Sequence, residues 1–259
     1  MEGHISPMFQ FCKRLVSKGL KVTLVSTTTS IIQSIHAQAS SSITIELLSN
    51  ELGQQKDESL EAYLERFRIV GSQSLAQLIE KHSRSDSPAW ILVYDSVILW
   101  AQDVADRVGL DAAPFFTQSC AVSAIYYHEN HGTFKLPLEG SMISIPSLPP
   151  LGTDHDLPSL VKDMDSYPAI LKINLNQFSA FHKVKCVFNT FHKLEHEEPF
   201  TSSYQYIHKK AVNWMASQWP MIKTVGPTLP SVYLDDRLIG TKATASAFSN
   251  PPTTPASHG

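Results

Sequence analysis

Trp90-Ile91-Leu92-Val93-Tyr94, then Trp100-Ala101-Gln102-Asp103-Val104-Ala105-Asp106-Arg107-Val108-Gly109, then Ala112-Ala113-Pro114-Phe115-Phe116: these three consecutive runs decide the fold. The first is unbroken apolar sequence of strand length, as a strand buried on both faces requires. The second puts Trp100, Ala101, Val104, Ala105 and Val108 on one helical stripe, closed by Gly109. The third reads as another short strand. Strand, helix and strand in that order is the grammar of a parallel sheet with crossover helices.

The same grammar extends outward. Ser6-Pro7 reads as N-cap and first position of a helix, with Met8, Phe11, Cys12, Leu15 and Val16 on one face. Gly19 ends it, and Leu20 to Val25 follows as a strand. Ile43 to Leu48 alternates as a second strand. A helix then turns Leu60, Tyr63, Leu64, Phe67, Leu75, Leu78 and Ile79 inward, and Lys185 to Phe188 is a further short strand. No internal repeat is present. The fold class expected is α/β, a Rossmann-like parallel sheet with flanking helices. Gly3 to Pro7 has the look of a loop feeding a helix N-terminus, where polar ligands gather in α/β sheets. No strand precedes it, so the expected sheet lacks its first strand.

Two regions break the pattern. Leu136 to Pro158 holds Pro137, Pro146, Pro149, Pro150 and Pro158 and is expected to be a long structured loop. Thr241 to Gly259 has three prolines, seven Ser or Thr and one large apolar residue, Phe248. A tail of that composition cannot offset its ordering entropy and is expected to be disordered.

Composition narrows the function classes. Of 259 residues, 42% are hydrophobic and 17% charged, enough to bury a core. A net charge of -3 argues against nucleic acid or an anionic membrane recognised by bulk charge. No apolar run is long enough to span a bilayer. Cys12, Cys120 and Cys186 are odd in number and far apart, which disfavours a disulfide framework or a structural zinc site and points to a reducing, cytoplasmic setting. His128 and His131 lack a third ligand and read as surface polar groups, not a metal pair. His196-Glu197-Glu198 lacks the second histidine of a zinc-protease motif, and no G-x-S-x-G, G-x-G-x-x-G or Walker A pattern occurs.

Several separated motifs, in order, resemble plant UDP-dependent glycosyltransferases. They are Gly3-His4-Ile5-Ser6-Pro7-Met8, Arg14-Leu15, Lys18 to Val25, Tyr94-Asp95, and Trp100 to Ala105. Pro114-Phe115-Phe116-Thr117-Gln118, Phe188-Asn189-Thr190-Phe191, Leu194-Glu195 and Val225-Gly226-Pro227-Thr228-Leu229-Pro230-Ser231 continue the series. The resemblance runs from Gly3 to about Leu238 and is greatest to the subgroup acting on terpenoids, salicylate and similar small acceptors.

That resemblance implies the GT-B fold, two Rossmann-like domains facing across a cleft, with the acceptor held mainly by the N-terminal one. It implies His4 as the general base, Asp95 as its orienting carboxylate and Thr117 as a contact to the donor sugar. It implies UDP-glucose as co-substrate, no other cofactor, and a small-molecule acceptor. The bland readings are a solvated histidine, an Asp95 that merely caps the following helix, and a structural Thr117. Residues 1–238 are then the acceptor domain, with an insertion expected at 196–211. The family's first strand, of the form apolar-apolar-Pro-x-x-x-Gln, and its UDP-binding C-terminal domain are expected to be missing. Read one nucleotide earlier, the codons permitted for Thr241 to Gly259 admit a run like the family's linker, so residues 239–259 are expected to be a frame-shifted tail. The expected function is glucosyl transfer by the family, with this chain inactive alone unless a donor domain is supplied. The alternative is a non-catalytic small-molecule-binding or interaction protein derived from the acceptor domain. An unrelated α/β hydrolase or reductase is disfavoured by the absent motifs.

Overall fold

Gly19 sets the first turn of the molecule. Its φ of 83° lets its N–H reach the Val16 carbonyl at 2.9 Å while the Leu20 N–H reaches Leu15 at 3.2 Å. This double closure ends helix α1 (Glu2–Ser17) and turns the chain into β1 (Val22–Ser26). The computed structural model describes residues 2–27, 43–53, 55–146, 148–153, 156–178, 185–189, 203–219 and 221–226.

The helix does not start at Ser6-Pro7, as the sequence suggests. It begins at Glu2 and carries Pro7 inside. Pro7 lies so near the N-terminus that its missing N–H forgoes one bond to the first turn. The stripe that packs inward is Ile5, Phe9, Cys12 and Val16, against Leu24 and Ile43.

β2 (Ile43–Leu47) pairs parallel with β1. Helix α2 (Leu60–Ser83) follows, capped by Ser59, whose hydroxyl accepts from the Ala62 N–H. Then come β3 (Ile91–Asp95), α3 (Trp100–Val108) and β4 (Asp111–Phe116), a strand-helix-strand unit with both strands parallel. Gly109 ends α3 in the left-handed region, φ 69°. Helix α4 (Cys120–Asn130) is capped by Ser119. The Pro-rich segment contributes a short antiparallel pair, β5 (Met142–Ile143) with β6 (Leu151–Gly152). It buries Ile143, Ile145, Leu148, Leu151 and Leu157 in the main core. After α5 (Ser159–Lys162) and α6 (Pro168–Asn176) come β7 (Cys186–Phe188), α7 (Ser203–Gln218) and β8 (Ile222–Thr224).

The architecture is α/β with parallel sheets flanked by helices, as expected. The parallel strands fall into two ladders: β1-β2, and β3-β4-β7-β8. Pro114 is tolerated in β4 because the β4-β7 ladder starts only at Phe115 paired with Val187. Phe116 and Phe188 stack at 4.4 Å between centroids inside the largest core cluster. α1 covers one face of both ladders: Phe9 and Cys12 meet Leu24 and Ile43, and Phe11 lies 5.2 Å from Phe115. α2 covers the other: Lys81 and His82 bond Glu46 of β2, and Leu75 packs with Tyr94.

Two sequence expectations are corrected here. Trp90 is 67% exposed and precedes β3, whose Ile91, Leu92 and Val93 are only half-buried. β3 stands at a sheet edge among the described residues, so its side chains have a neighbouring strand on one flank only. His128 is not a surface group but 4% exposed, its ring 4.6 Å from that of Trp214, because α4 turns this residue inward. The insertion expected at 196–211 falls outside the described residues up to 202. From Ser203 onward it is the start of α7. The tail expected at 239–259 lies wholly outside them.

Candidate functional site

Three sequence-distant residues meet where strands end. His4 stands in the first turn of α1, Asp95 is the last residue of β3, and Thr117 follows the last residue of β4. β3 and β4 are parallel and in register, Asp95 opposite Phe115, so their C-terminal ends present Asp95 and Thr117 side by side. Such strand ends are where α/β sheets form ligand crevices.

His4 Nδ1–H donates to Asp95 Oδ2 at 2.8 Å, and Thr117 Oγ1 lies 3.1 Å from the same nitrogen. The second carboxylate oxygen, Oδ1, accepts the Val97 N–H at 3.2 Å. Asp95 is therefore held at both oxygens. It does not cap α3, whose cap position is Leu99. The side chains are 39% exposed for His4 and 13% for Asp95. The imidazole is thus within reach of a ligand while its partner is largely shielded from water.

Electrostatics follow the geometry. The hydrogen bond to Asp95 holds the His4 pKa above the ordinary histidine value, partial burial opposes it, and the carboxylate's charge adds to the rise. A proton fixed on Nδ1 leaves the lone pair on Nε2, the arrangement a general base uses.

Behind the three, α6 is tied to the same strand ends. Ser96 Oγ donates to Gln177 Oε1 at 3.0 Å, and Gln118 Nε2 donates to Asn174 Oδ1 at 2.9 Å. Sequence reasoning missed these pairs: the partners are 81 and 56 positions apart, and no spacing rule reaches that far. Two grooves among the described residues, of about 500 and 600 Å³, are not lined by His4, Asp95 or Thr117, although the larger is lined by Tyr94, Ser96 and Gln177 beside them. Among the described residues no group of His, Cys, Asp and Glu side chains is placed to hold a metal ion, and no helix is long and apolar enough to cross a membrane.

No family model matches the chain. It is 42% identical over 237 residues to mogroside I-E synthase of Siraitia grosvenorii, covering 90% of this chain and 48% of that protein. It is 41% identical over 244 residues to UDP-glycosyltransferase 74E1 of Arabidopsis thaliana, covering 92% and 50%. Among solved structures, Os79 from O. sativa in complex with UDP matches with a TM-score of 0.71 at 28% identity, over 92% of this chain and 51% of that one. The same protein in complex with U2F and trichothecene matches with a TM-score of 0.68 at 30% identity, over 91% and 52%. The chain spans about half the length of the curated relatives it matches.

Proposed function

This chain is a relative of plant UDP-glycosyltransferases along 90% of its length, and we propose that it is the acceptor-binding half of a sugar-transfer site of that kind. The observation that carries the proposal is the 2.8 Å contact between His4 Nδ1 and the Asp95 carboxylate at the strand ends. The sugar proposed is glucose, from UDP-glucose. The acceptor is the hydroxyl or carboxyl of a small metabolite of the terpenoid or phenolic class. Os79, crystallised with a trichothecene, supports an acceptor of such size.

In this reading His4 Nε2 takes the acceptor hydroxyl's proton as the oxygen forms its bond to the anomeric carbon. The bond from that carbon to the UDP phosphate oxygen breaks, and UDP leaves with the electron pair. Asp95 holds the tautomer and stabilises the imidazolium that forms. A carboxyl acceptor is already ionised near neutral pH and draws on His4 less. Thr117, 3.1 Å from His4 Nδ1, serves first to aim the ring, whatever contact it makes with a donor sugar. The chain spans about half the length of its curated relatives, and the 259-residue chain expressed alone is proposed to be inactive until a donor-binding half is supplied.

The test joins this chain to the donor-binding half of a related plant enzyme and assays transfer from radiolabelled UDP-glucose to a panel of terpenoid and phenolic acceptors. His4→Ala should lower the rate by about two to four orders of magnitude while leaving UDP-glucose affinity intact. Turnover at the parent rate in that variant would remove His4 from the mechanism. Turnover by the unjoined chain would refute its inactivity.

A further inference from the structure

α1 and the turn after it meet β3 at both of its ends. At the C-terminal end, His4 Nδ1 in the first turn of α1 bonds the carboxylate of Asp95, the last residue of β3. At the N-terminal end, Lys21 Nζ, just before β1, donates to Ser87 Oγ at 2.6 Å, and Ser87 stands four residues before β3 begins at Ile91. The first contact is a part-buried ion pair. The second joins an ammonium to a neutral hydroxyl, both exposed. Lys21 enters none of the ion pairs formed among the described residues, although Asp86 adjoins Ser87.

Ser87 is open to a modifying enzyme. Every residue from Ser83 to Trp90 is exposed. Ser85 Oγ donates to the His82 carbonyl at 2.7 Å and accepts the Ser87 N–H at 3.3 Å, which ties the loop to the end of α2. Pro88 follows Ser87. A proline removes the next N–H and disfavours helical backbone at the residue before it, so Ser87 is biased toward the extended form in which a segment enters an enzyme cleft. The chain's other Ser-Pro pair, Ser6-Pro7, lies inside α1, where the backbone is not extended.

We propose that Ser87 is a phosphorylation site for a proline-directed serine/threonine kinase, and that the phosphate pairs with Lys21 to lock α1 and β1 onto β3. Ser87 Oγ forms a bond to the γ-phosphorus of ATP while the bond from that phosphorus to its bridging oxygen breaks. ADP leaves with the electron pair, and the hydroxyl proton passes to the kinase's catalytic carboxylate. The product carries about two negative charges near neutral pH where a neutral hydroxyl stood. Lys21, already directed at this oxygen, then makes a charge-assisted hydrogen bond in place of a neutral one. Asp86 repels the new charge, so the lysine decides whether the fold gains from it. The inference does not depend on the catalytic reading of His4.

The test treats the isotopically labelled full chain with a proline-directed kinase and ATP, alongside a free peptide spanning Arg84 to Trp90, and maps phosphate by mass spectrometry. Ser87 should be modified, and Ser6 and Ser85 should not. In the modified chain at low salt, amide exchange from Phe9 to Val16 of α1 should slow about two- to fivefold, the range open to an exposed ion pair. The slowing should shrink at high salt. Lys21→Met should still be modified and show no slowing, and Lys21→Arg should retain it. A folded chain left unmodified at Ser87 overturns the site, whether or not the peptide is modified. Phosphate found only at Thr254, which also precedes a proline, overturns it as well. Modification of Ser87 with α1 exchange unchanged, or slowed equally in Lys21→Met, overturns the lock.

Discussion

The indole of Trp100 closes over the Cα of Gly71, so that a methyl group there would come within 2.7 Å of the ring. This contact sets how closely α2 and α3 approach, and Phe67 packs edge-on against the same indole at 5.5 Å. Gly71→Ala gains up to about 1 kcal/mol of helix propensity. Against that stands an overpacking cost of about 1–3 kcal/mol, because a rigid ring already wedged by Phe67 cannot swing aside. The clash should win, by up to about 2 kcal/mol, read as a lower urea midpoint for the variant with an unchanged slope. A variant more stable than the parent would show that the ring yields.

The His4–Asp95 pair should make stability depend on pH in one direction. The folded-state pKa of His4 lies above its unfolded value, so the pair contributes fully below the unfolded value of about 6.5. Its contribution is lost as pH rises through the raised folded value. The gap in urea midpoints between the parent and His4→Gln should therefore close on going from mild acid to alkaline buffer. The His4 ring signal in NMR should titrate above an exposed histidine, and Asp95→Asn should bring it down.

In the joined enzyme, transfer to a hydroxyl acceptor should rise with pH through that same His4 midpoint, since the base acts in its neutral form. Asp95→Asn should lose less than His4→Ala, and the double variant should be no worse than His4→Ala alone. Additive losses would place Asp95 elsewhere in the reaction. Thr117→Val keeps the shape and deletes the hydroxyl near Nδ1. It should lower the turnover number by about tenfold or less with the KM for UDP-glucose unmoved. A raised KM for UDP-glucose would instead make Thr117 a donor contact.

His128 should set an acid limit on the fold. Burial against Trp214 pushes its pKa down to about 4, with the charge of His131 adding to the shift. The unfolded chain takes up this proton near 6.5 and the folded one only near 4, so stability should fall as pH drops across that window. His128→Leu should flatten this limb of a urea-midpoint profile between pH 7 and 4, read by tryptophan fluorescence. An unchanged slope would mean that other groups govern the acid limit.

The strand and helix order was legible from the three runs between Trp90 and Phe116, because buried strands and a one-faced helix write different periods. What escaped depends on neighbours that no local pattern contains. The apolar run of β3 states that both faces want cover, not that β3 stands at a sheet edge among the described residues. Pro7 reads locally as a helix start, yet the stripe from Ile5 to Val16 carries the helix through it. His128 looks like any surface histidine until Trp214, 86 positions on, is folded against it. The three site residues were named through a family resemblance, not through spacing. Their meeting at one nitrogen, Nδ1 of His4, is visible only in three dimensions.

His4 and Asp95 are 91 positions apart, and His4 and Thr117 are 113 apart. Contacts that close such long loops form only after the intervening chain has surrendered most of its entropy, which places them late in the order of folding events. The β3-α3-β4 unit, built from near neighbours, can condense first and present Asp95 and Thr117 with no histidine between them. Assembly of the triad then reports a single event, the docking of α1 through Phe9, Phe11 and Cys12. A lesion in that seam would empty the site while leaving the strands that frame it in place.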